Sequence, residues 1–149
     1  MDPRDLIPQR PPFLFLDTID ELSEELARAR YRFRGDEFFF AGHFPAAPIV
    51  PGVIQIEAMG QLMTAIGAHY ARARSIPYAA MDLVQIKEAE FHRPLHPGDE
   101  MLLEVRRVFL RANAFQAKCT ATVGGVLACE AVLRGAGVQL QFFSGGRGT

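Results

Sequence analysis

The sequence predicts an α+β domain, one long helix set against an antiparallel sheet of five or six strands. Three observations predict it. A segment from about Val53 to Arg72 is rich in Ala, Met, Ile and Leu and ends before Pro77, as a helix buried on most faces would. Ala27, Ala29, Tyr31 and Phe33 alternate with Arg28, Arg30, Arg32 and Arg34, the period of a half-buried strand. The second half reads as successive strands parted by turn residues.

Taken in order, residues 1–12 carry Pro3, Pro8, Pro11 and Pro12 and are expected to be irregular. The apolar run Phe13 to Ile19 reads as a strand. The arginine side of 27–34 reads as a solvated face in preference to a binding surface. Residues 35–52 hold Gly35, Gly42, Pro45, Pro48, Pro51 and Gly52, which predicts a shaped loop, with Phe38, Phe39, Phe40 and Phe44 as apolar anchors. After the helix, strands are placed near 83–92, 99–111, 114–123 and 126–135. Pro97-Gly98-Asp99, Asn113 and Gly124-Gly125 mark the turns between them. From Ser144 the tail is Gly-rich and expected to be mobile. No repeat or linker divides the 149 residues, so 1–149 is read as a single domain with a core over about 6–140.

Composition excludes several classes. Apolar residues make up 49 % and charged residues 22 %, ordinary for a globular chain. Sixteen Lys and Arg against 17 Asp and Glu, with no basic run, argue against nucleic acid as a partner. The longest apolar stretch, 53–71, contains Gln55, Glu57, Gln61 and His69, too polar for membrane insertion. The start of the sequence lacks the apolar segment of a signal peptide. Cys119 and Cys129 flank the Gly124-Gly125 turn. A two-residue hairpin puts Cys119 opposite Glu130 and Cys129 opposite Thr120, with the sulfurs on opposite faces. Reduced thiols and a cytoplasmic location are expected.

The segment Gly42 to Met59 concentrates the candidate chemistry. Glu57 is the only acidic residue between Phe38 and Asp82. It is either an exposed acid favoured by the helix dipole or a buried carboxylate kept for a purpose. His43, between Gly42 and Phe44-Pro45, is either an ordinary loop histidine or an imidazole held by stiff, apolar neighbours. Pro51-Gly52 is either a turn and cap or an opening where a developing oxyanion meets the first N–H groups of the helix, near Gly52 and Val53. Together, imidazole, carboxylate and oxyanion site describe proton abstraction next to a carbonyl. His69 is read as a helix-end residue, and His92 and His96 show no zinc-ligand spacing. Phosphate loop, dinucleotide fingerprint and nucleophile elbow are absent, so neither metal nor cofactor is implied.

Four motifs in order resemble the (3R)-3-hydroxyacyl-acyl carrier protein dehydratases of the FabZ type, over roughly Leu6 to Gly135. Ile7-Pro8-Gln9-Arg10 with Pro12-Phe13-Leu14 is similar to the family's IPHRxPFL, and Gly42-His43-Phe44-Pro45 to its GHFP. Pro51-Gly52-Val53 with Glu57-Ala58-Met59 and Gln61 is similar to PGVxxxEAMxQ. Phe91, Arg93-Pro94 and Pro97-Gly98-Asp99 are similar to FxRPxxPGD. The resemblance implies a hotdog fold, a central helix wrapped by the sheet, and a homodimer or trimer of dimers with sites at the dimer interface. It implies a thioester substrate on the phosphopantetheine arm of acyl carrier protein, and neither metal nor nucleotide cofactor. His43 of one subunit would remove the C2 proton and Glu57 of the other would help the 3-hydroxyl leave. Gly52, with Val53, would hold the thioester oxygen, and Phe44, Pro45 and Gln61 would border the substrate.

Phe38, Met59 and Met63, with Phe44, are candidate tunnel lining, with plain core packing as the alternative, and Arg10 and Arg93 are candidate carrier-protein contacts. Glu, where the isomerising FabA-type relatives carry Asp, points to dehydration without isomerisation. Gln9, Ala46, Gly60 and Val84-Gln85-Ile86-Lys87 depart from the usual pattern and leave chain length and pathway open. Two other readings are carried alongside: a non-catalytic acyl-binding or assembly subunit, and a hotdog thioesterase.

Overall fold

The computed structural model of the chain describes residues 1–111 and 114–138. The expected turn at Asn113 and the tail from Ser144 lie outside the described residues. After a short 3₁₀ turn, Pro3–Asp5, come β1 (Thr18–Leu22), β2 (Leu26–Arg32), α1 (Gly52–Ala73), β3 (Ala80–Phe91), β4 (Glu100–Arg111), β5 (Ala114–Val123) and β6 (Val126–Val138). The six strands form one antiparallel sheet in the order β1-β2-β4-β5-β6-β3. The sheet packs on α1, whose Ile54, Met59, Leu62, Met63, Ala65 and Ile66 are buried in the main core with Phe15, Phe33, Leu103 and Leu133.

Local chemistry explains most boundaries. Ala27, Ala29 and Tyr31 in β2, with Phe33 just beyond it, are buried. The intervening arginines are exposed and engaged with acids: Arg28 with Glu21 and Glu104, Arg30 with Asp20, Arg32 with Glu100, Arg34 with Asp17. That is the solvated face the alternation predicts. Gly124 and Gly125 both have positive φ, 58° and 78°, so the β5–β6 hairpin closes on a two-residue turn that a side chain would strain. Gly98, at φ 93°, turns the chain into β4.

Three expectations are corrected. Phe13 to Leu16 is not strand. Only Thr18 and Ile19 of the predicted run enter β1, because the Phe15 N–H and Phe13 carbonyl are taken by a helix side chain and not by a neighbouring strand. The hairpin register also differs. A bulge between Ala121 and Thr122 brings Cys129 opposite Ala121 and Cys119 opposite Ala131, so both thiols face the core. They are free, and burial pushes Cys129 up to about 11 and Cys119 further. Finally, Phe39 and Phe40 anchor the 35–52 loop, while Phe38 and Phe44 are more than half exposed.

The N-terminal segment is pinned along α1. At one end Arg72 Nη2 donates to the Asp5 carbonyl, 2.6 Å. At the other, Gln61 holds Phe13 and Phe15. Among the described residues β3 ends the sheet with one edge unpaired. It carries exposed Leu83, Val84, Ile86 and Phe91.

Candidate active site

Glu57 lies in the second turn of α1, half-buried. Among the described residues its carboxylate has one hydrogen bond, from Gln61 Nε2 to Oε1, 3.0 Å. Burial raises the carboxyl pKa, and the Gln61 bond offsets this only in part. Gln61 is completely buried and fully committed. Its Oε1 accepts from the Phe15 N–H, 2.8 Å, and its Nε2 donates to the Phe13 carbonyl, 3.1 Å, as well as to Glu57. The Phe15 bond fixes the amide orientation, so the NH₂ must face the carboxylate. A carboxylate four residues earlier on the same face is thereby held in one position.

His43 sits on the shaped loop, partly buried. Its N–H donates to the Phe40 carbonyl, 3.3 Å, and its own carbonyl accepts from Ile49 N–H, 2.9 Å. The ring stacks on Phe44 with centroids 4.3 Å apart. Nδ1 lies 3.1 Å from the Ile49 carbonyl oxygen. A carbonyl only accepts, so Nδ1 carries a proton and in the neutral ring the lone pair lies on Nε2. This is the tautomer of a base aimed away from its own loop. Phe44 and Ala47 exchange backbone hydrogen bonds, 3.3 and 3.1 Å, closing a tight turn over Pro45 and Ala46. Ala46 is not among the positive-φ residues, so this turn does not need glycine there.

Gly52 opens α1 behind Pro51, which offers no side-chain cap. Among the described residues the Gly52 and Val53 N–H groups donate to no acceptor, and Val53 is 71 % exposed. A Cβ on Gly52 would stand 2.7 Å from the Phe91 ring. Glycine is therefore required by a close approach and not by its backbone angle.

The remaining predicted residues are spread more widely. Met59 and Met63 are fully buried in the core of the single chain. Phe38 borders a surface groove with Pro11, Pro12, Leu14 and Tyr31. Arg10 donates to the carbonyls of Arg4, Ile7 and Gln9 and so knits the N-terminal segment. Arg93 is exposed and pairs with no carboxylate among the described residues. Glu90, His92 and Glu130 form a surface trio at the β3–β6 pairing, with His92 Nε2 at 3.7 and 3.4 Å from the two carboxylates. No hydrogen bond or ion pair joins His43 to Glu57 among the described residues of this one chain.

Sequence reasoning missed two contributors. The Ile49 carbonyl sets the histidine tautomer, but a backbone acceptor leaves no trace in residue identity. The Phe91 ring fills the space beside Gly52. Its place in the fourth motif was visible, though not what it touched.

With this geometry in view, comparison with known proteins gives a consistent result. Residues 7–132 match the model of the FabA-like domain. The chain is 40 % identical over 128 residues to the 3-hydroxyacyl-[acyl-carrier-protein] dehydratase FabZ of Sodalis glossinidius, covering 85 % of this chain and 84 % of that one. It is 41 % identical over 128 residues to the FabZ of Proteus mirabilis, with 85 % of each covered. It is 38 % identical over 129 residues to that of Levilactobacillus brevis, covering 86 % and 85 %. Among solved structures, the dehydratase heterocomplex ApeI:P from Xenorhabdus doucetiae superposes with a TM-score of 0.79 at 12 % identity, over 93 % of this chain and 92 % of that one. AziG of S. sahachiroi superposes at 0.63 with 14 % identity, over 83 % and 91 %. These two likenesses bear on the fold, one helix against a six-stranded antiparallel sheet.

Proposed function

The chain belongs to the FabA-like family, and on that premise we propose that it is a dehydratase of the FabZ type. It removes water from (3R)-3-hydroxyacyl chains carried on acyl carrier protein and leaves the trans-2-enoyl thioester. The observation that carries this reading is Glu57, a half-buried carboxyl whose pKa is raised by burial and whose position is fixed by Gln61. A carboxyl in that condition is a proton donor.

His43 Nε2 takes the C2 proton, and Glu57 gives its proton to the departing 3-hydroxyl. One proton is gained by the enzyme and one lost, and their return to the starting positions completes the cycle. As C2 is deprotonated, charge builds on the thioester oxygen. The Gly52 and Val53 N–H groups offer it two donors at a helix N-terminus, each contributing about 3 kcal/mol in comparable sites. Phe44 and Pro45 border the reacting thioester, with Phe44 stacked against the base. Proton transfers and loss of water are the whole reaction, so the residues named here suffice, with no cofactor beyond the phosphopantetheine that carries the substrate.

Among the described residues no hydrogen bond or ion pair joins His43 to Glu57 within one chain, and we infer that a second copy completes the pair. The long β3 edge, with Val84, Ile86 and Phe91 exposed, is suited to pair with itself and exclude water around the helix start. A homodimer is therefore the working unit, and a trimer of such dimers is compatible with it. Arg93, beside Phe91, offers a free cation to an acidic carrier protein. Arg10 is the weaker candidate because its donors already bind backbone. No helix among the described residues is long and apolar enough to cross a membrane, and we place the enzyme in the cytoplasm.

Product mass tests the reading. Wild type incubated with 3-hydroxyacyl carrier protein should yield acyl carrier protein lighter by one water, and His43→Ala and Glu57→Gln should not. Free carrier thiol with a carboxylic acid would establish the thioesterase instead. A folded dimer that turns over no chain length would establish the binding subunit.

A further inference from the structure

Glu90 and Glu130 face each other directly across the β3–β6 pairing. Like charges in directly opposed positions destabilise a sheet. Cys129 and Ala131, on either side of Glu130, are buried in the core, so Glu130 projects from the outer face of the sheet. Among the described residues neither carboxylate pairs with a lysine or an arginine. The basic group that meets both is His92, one residue beyond β3. Its Nε2 lies 3.7 Å from Glu90 Oε2 and 3.4 Å from Glu130 Oε2. Both distances exceed an N–H···O hydrogen bond, which closes to about 2.7–3.2 Å. The imidazole therefore sits between two carboxylates and is bonded to neither.

Those separations match the spacing of ligands around a shared ion. Zinc binds histidine nitrogen and carboxylate oxygen at about 2.0–2.2 Å, and tetrahedral angles then set the ligand atoms about 3.3–3.6 Å apart. One oxygen of each glutamate and one nitrogen of His92 all lie within 4.8 Å of one another. Rotation of the exposed Glu90 side chain closes the remaining gap. The backbone beneath is fixed. The His92 and Arg93 N–H groups both donate to the Ala128 carbonyl, 2.8 and 3.3 Å, and the β3–β6 ladder holds Glu90 against Glu130.

We propose that Glu90, His92 and Glu130 form a zinc site whose fourth position is open to water. One imidazole and two carboxylates suit a first-row divalent ion, whereas magnesium and calcium take oxygen ligands in larger number. The ion offsets the repulsion between the facing carboxylates and ties the end of β3 to β6. That end carries Phe91, whose ring fills the space beside Gly52. The ion is structural and takes no part in the proton transfers, so the inference does not rest on the dehydratase reading. Sequence spacing hid the site because its third ligand arrives from β6 through strand pairing.

The test uses the full chain without an affinity tag, stripped of metal by a chelator and titrated with Zn²⁺ in a calorimeter, with Tm followed in parallel. Wild type should bind zinc at this site, and zinc at about 10–100 times its Kd should raise Tm by roughly 3–10 °C. The same concentration of Mg²⁺ should leave Tm unchanged. His92→Ala and Glu130→Gln should each weaken binding by about 100-fold or more, beyond what loss of an outer-shell partner costs, and should remove the Tm shift. His43→Ala, His69→Ala and His96→Ala should keep both. Glu130→Gln also removes one of the facing charges, so its metal-free Tm should equal or exceed that of wild type, which separates loss of a ligand from loss of the fold. Wild type that binds no zinc, or binding that survives both His92→Ala and Glu130→Gln, would overturn the proposal.

Discussion

Replacing Gln61 with Leu is expected to uncouple three things at once, and the structure sets the size of each. Gln61 is completely buried, and leucine matches its bulk without its hydrogen bonds. The Phe15 N–H, on a residue with no exposed surface, loses its acceptor, and the Phe13 carbonyl loses a donor. A buried polar group left unpaired costs about 1–3 kcal/mol. The two together come to about 2–4 kcal/mol, because the Phe13 carbonyl sits nearer the surface and water can reach it. For a domain of this size that is roughly 5–15 °C in Tm.

The third effect is chemical. Gln61 is the group that lowers the Glu57 pKa against burial, so its loss lets that pKa climb further. Glu57 acts in its protonated form, so the alkaline limb of the pH profile of kcat/KM should move upward. Thermal unfolding at fixed protein concentration, with Thr64→Val as a control, measures the first part, and the pH profile measures the second. A Gln61→Leu protein within about 0.5 kcal/mol of wild type, the range of ordinary surface substitutions, would refute the pinning role. An unmoved alkaline limb would refute the coupling to Glu57.

Three further outcomes follow from the same geometry. Gly52→Ala places a methyl 2.7 Å from the Phe91 ring, which should displace the helix start and lower kcat by roughly 10²-fold, as loss of an oxyanion donor does; Phe91→Leu in the same chain should recover part of it. Glu57→Gln should raise Tm at neutral pH, because a carboxyl with a raised folded pKa destabilises the fold once pH exceeds its unfolded value; the difference should vanish below about pH 4, where both states are protonated. Arg93→Glu should raise KM for the carrier-protein substrate several-fold with kcat held, and the change should shrink in high salt.

Most of the fold was legible because its signals are local and periodic. The alternation over 27–34 became β2, and the apolar stretch after Pro51 became α1. The Gly124-Gly125 pair and Pro97-Gly98-Asp99 fell where the chain turns. Phe13 to Leu16 misled because apolar content alone does not decide what its backbone bonds to. Gln61, distant in sequence, took those groups and replaced a strand partner. The Cys119–Cys129 register failed for a similar reason, since a single bulge at Ala121–Thr122 inverts every later facing assignment. Gln9 and Gln55 each bury a side-chain oxygen that finds no hydrogen-bond partner among the described residues.

The candidate site was legible in its residues and less so in its wiring. Glu57 stood out as a lone acid in an apolar stretch, and it is indeed half-buried with a raised pKa. The solitary His43 was equally visible. The carbonyl that sets its tautomer and the ring packed on Gly52 are tertiary facts. The departures divide in the same way. Ala46 occupies a turn that tolerates it, while Val84 and Ile86 fall on the exposed β3 edge, where a second copy in the proposed dimer would meet them.

The proposed site is built from two chains, His43 of one and Glu57 of the other. Mixing His43→Ala and Glu57→Gln proteins, each inactive alone, and allowing subunits to exchange tests it most directly. Random pairing makes half the dimers mixed, each with one intact site, so activity should return to about one quarter of wild type. Verified mixed dimers that remain inactive would contradict it, because they would show that both residues must come from the same chain.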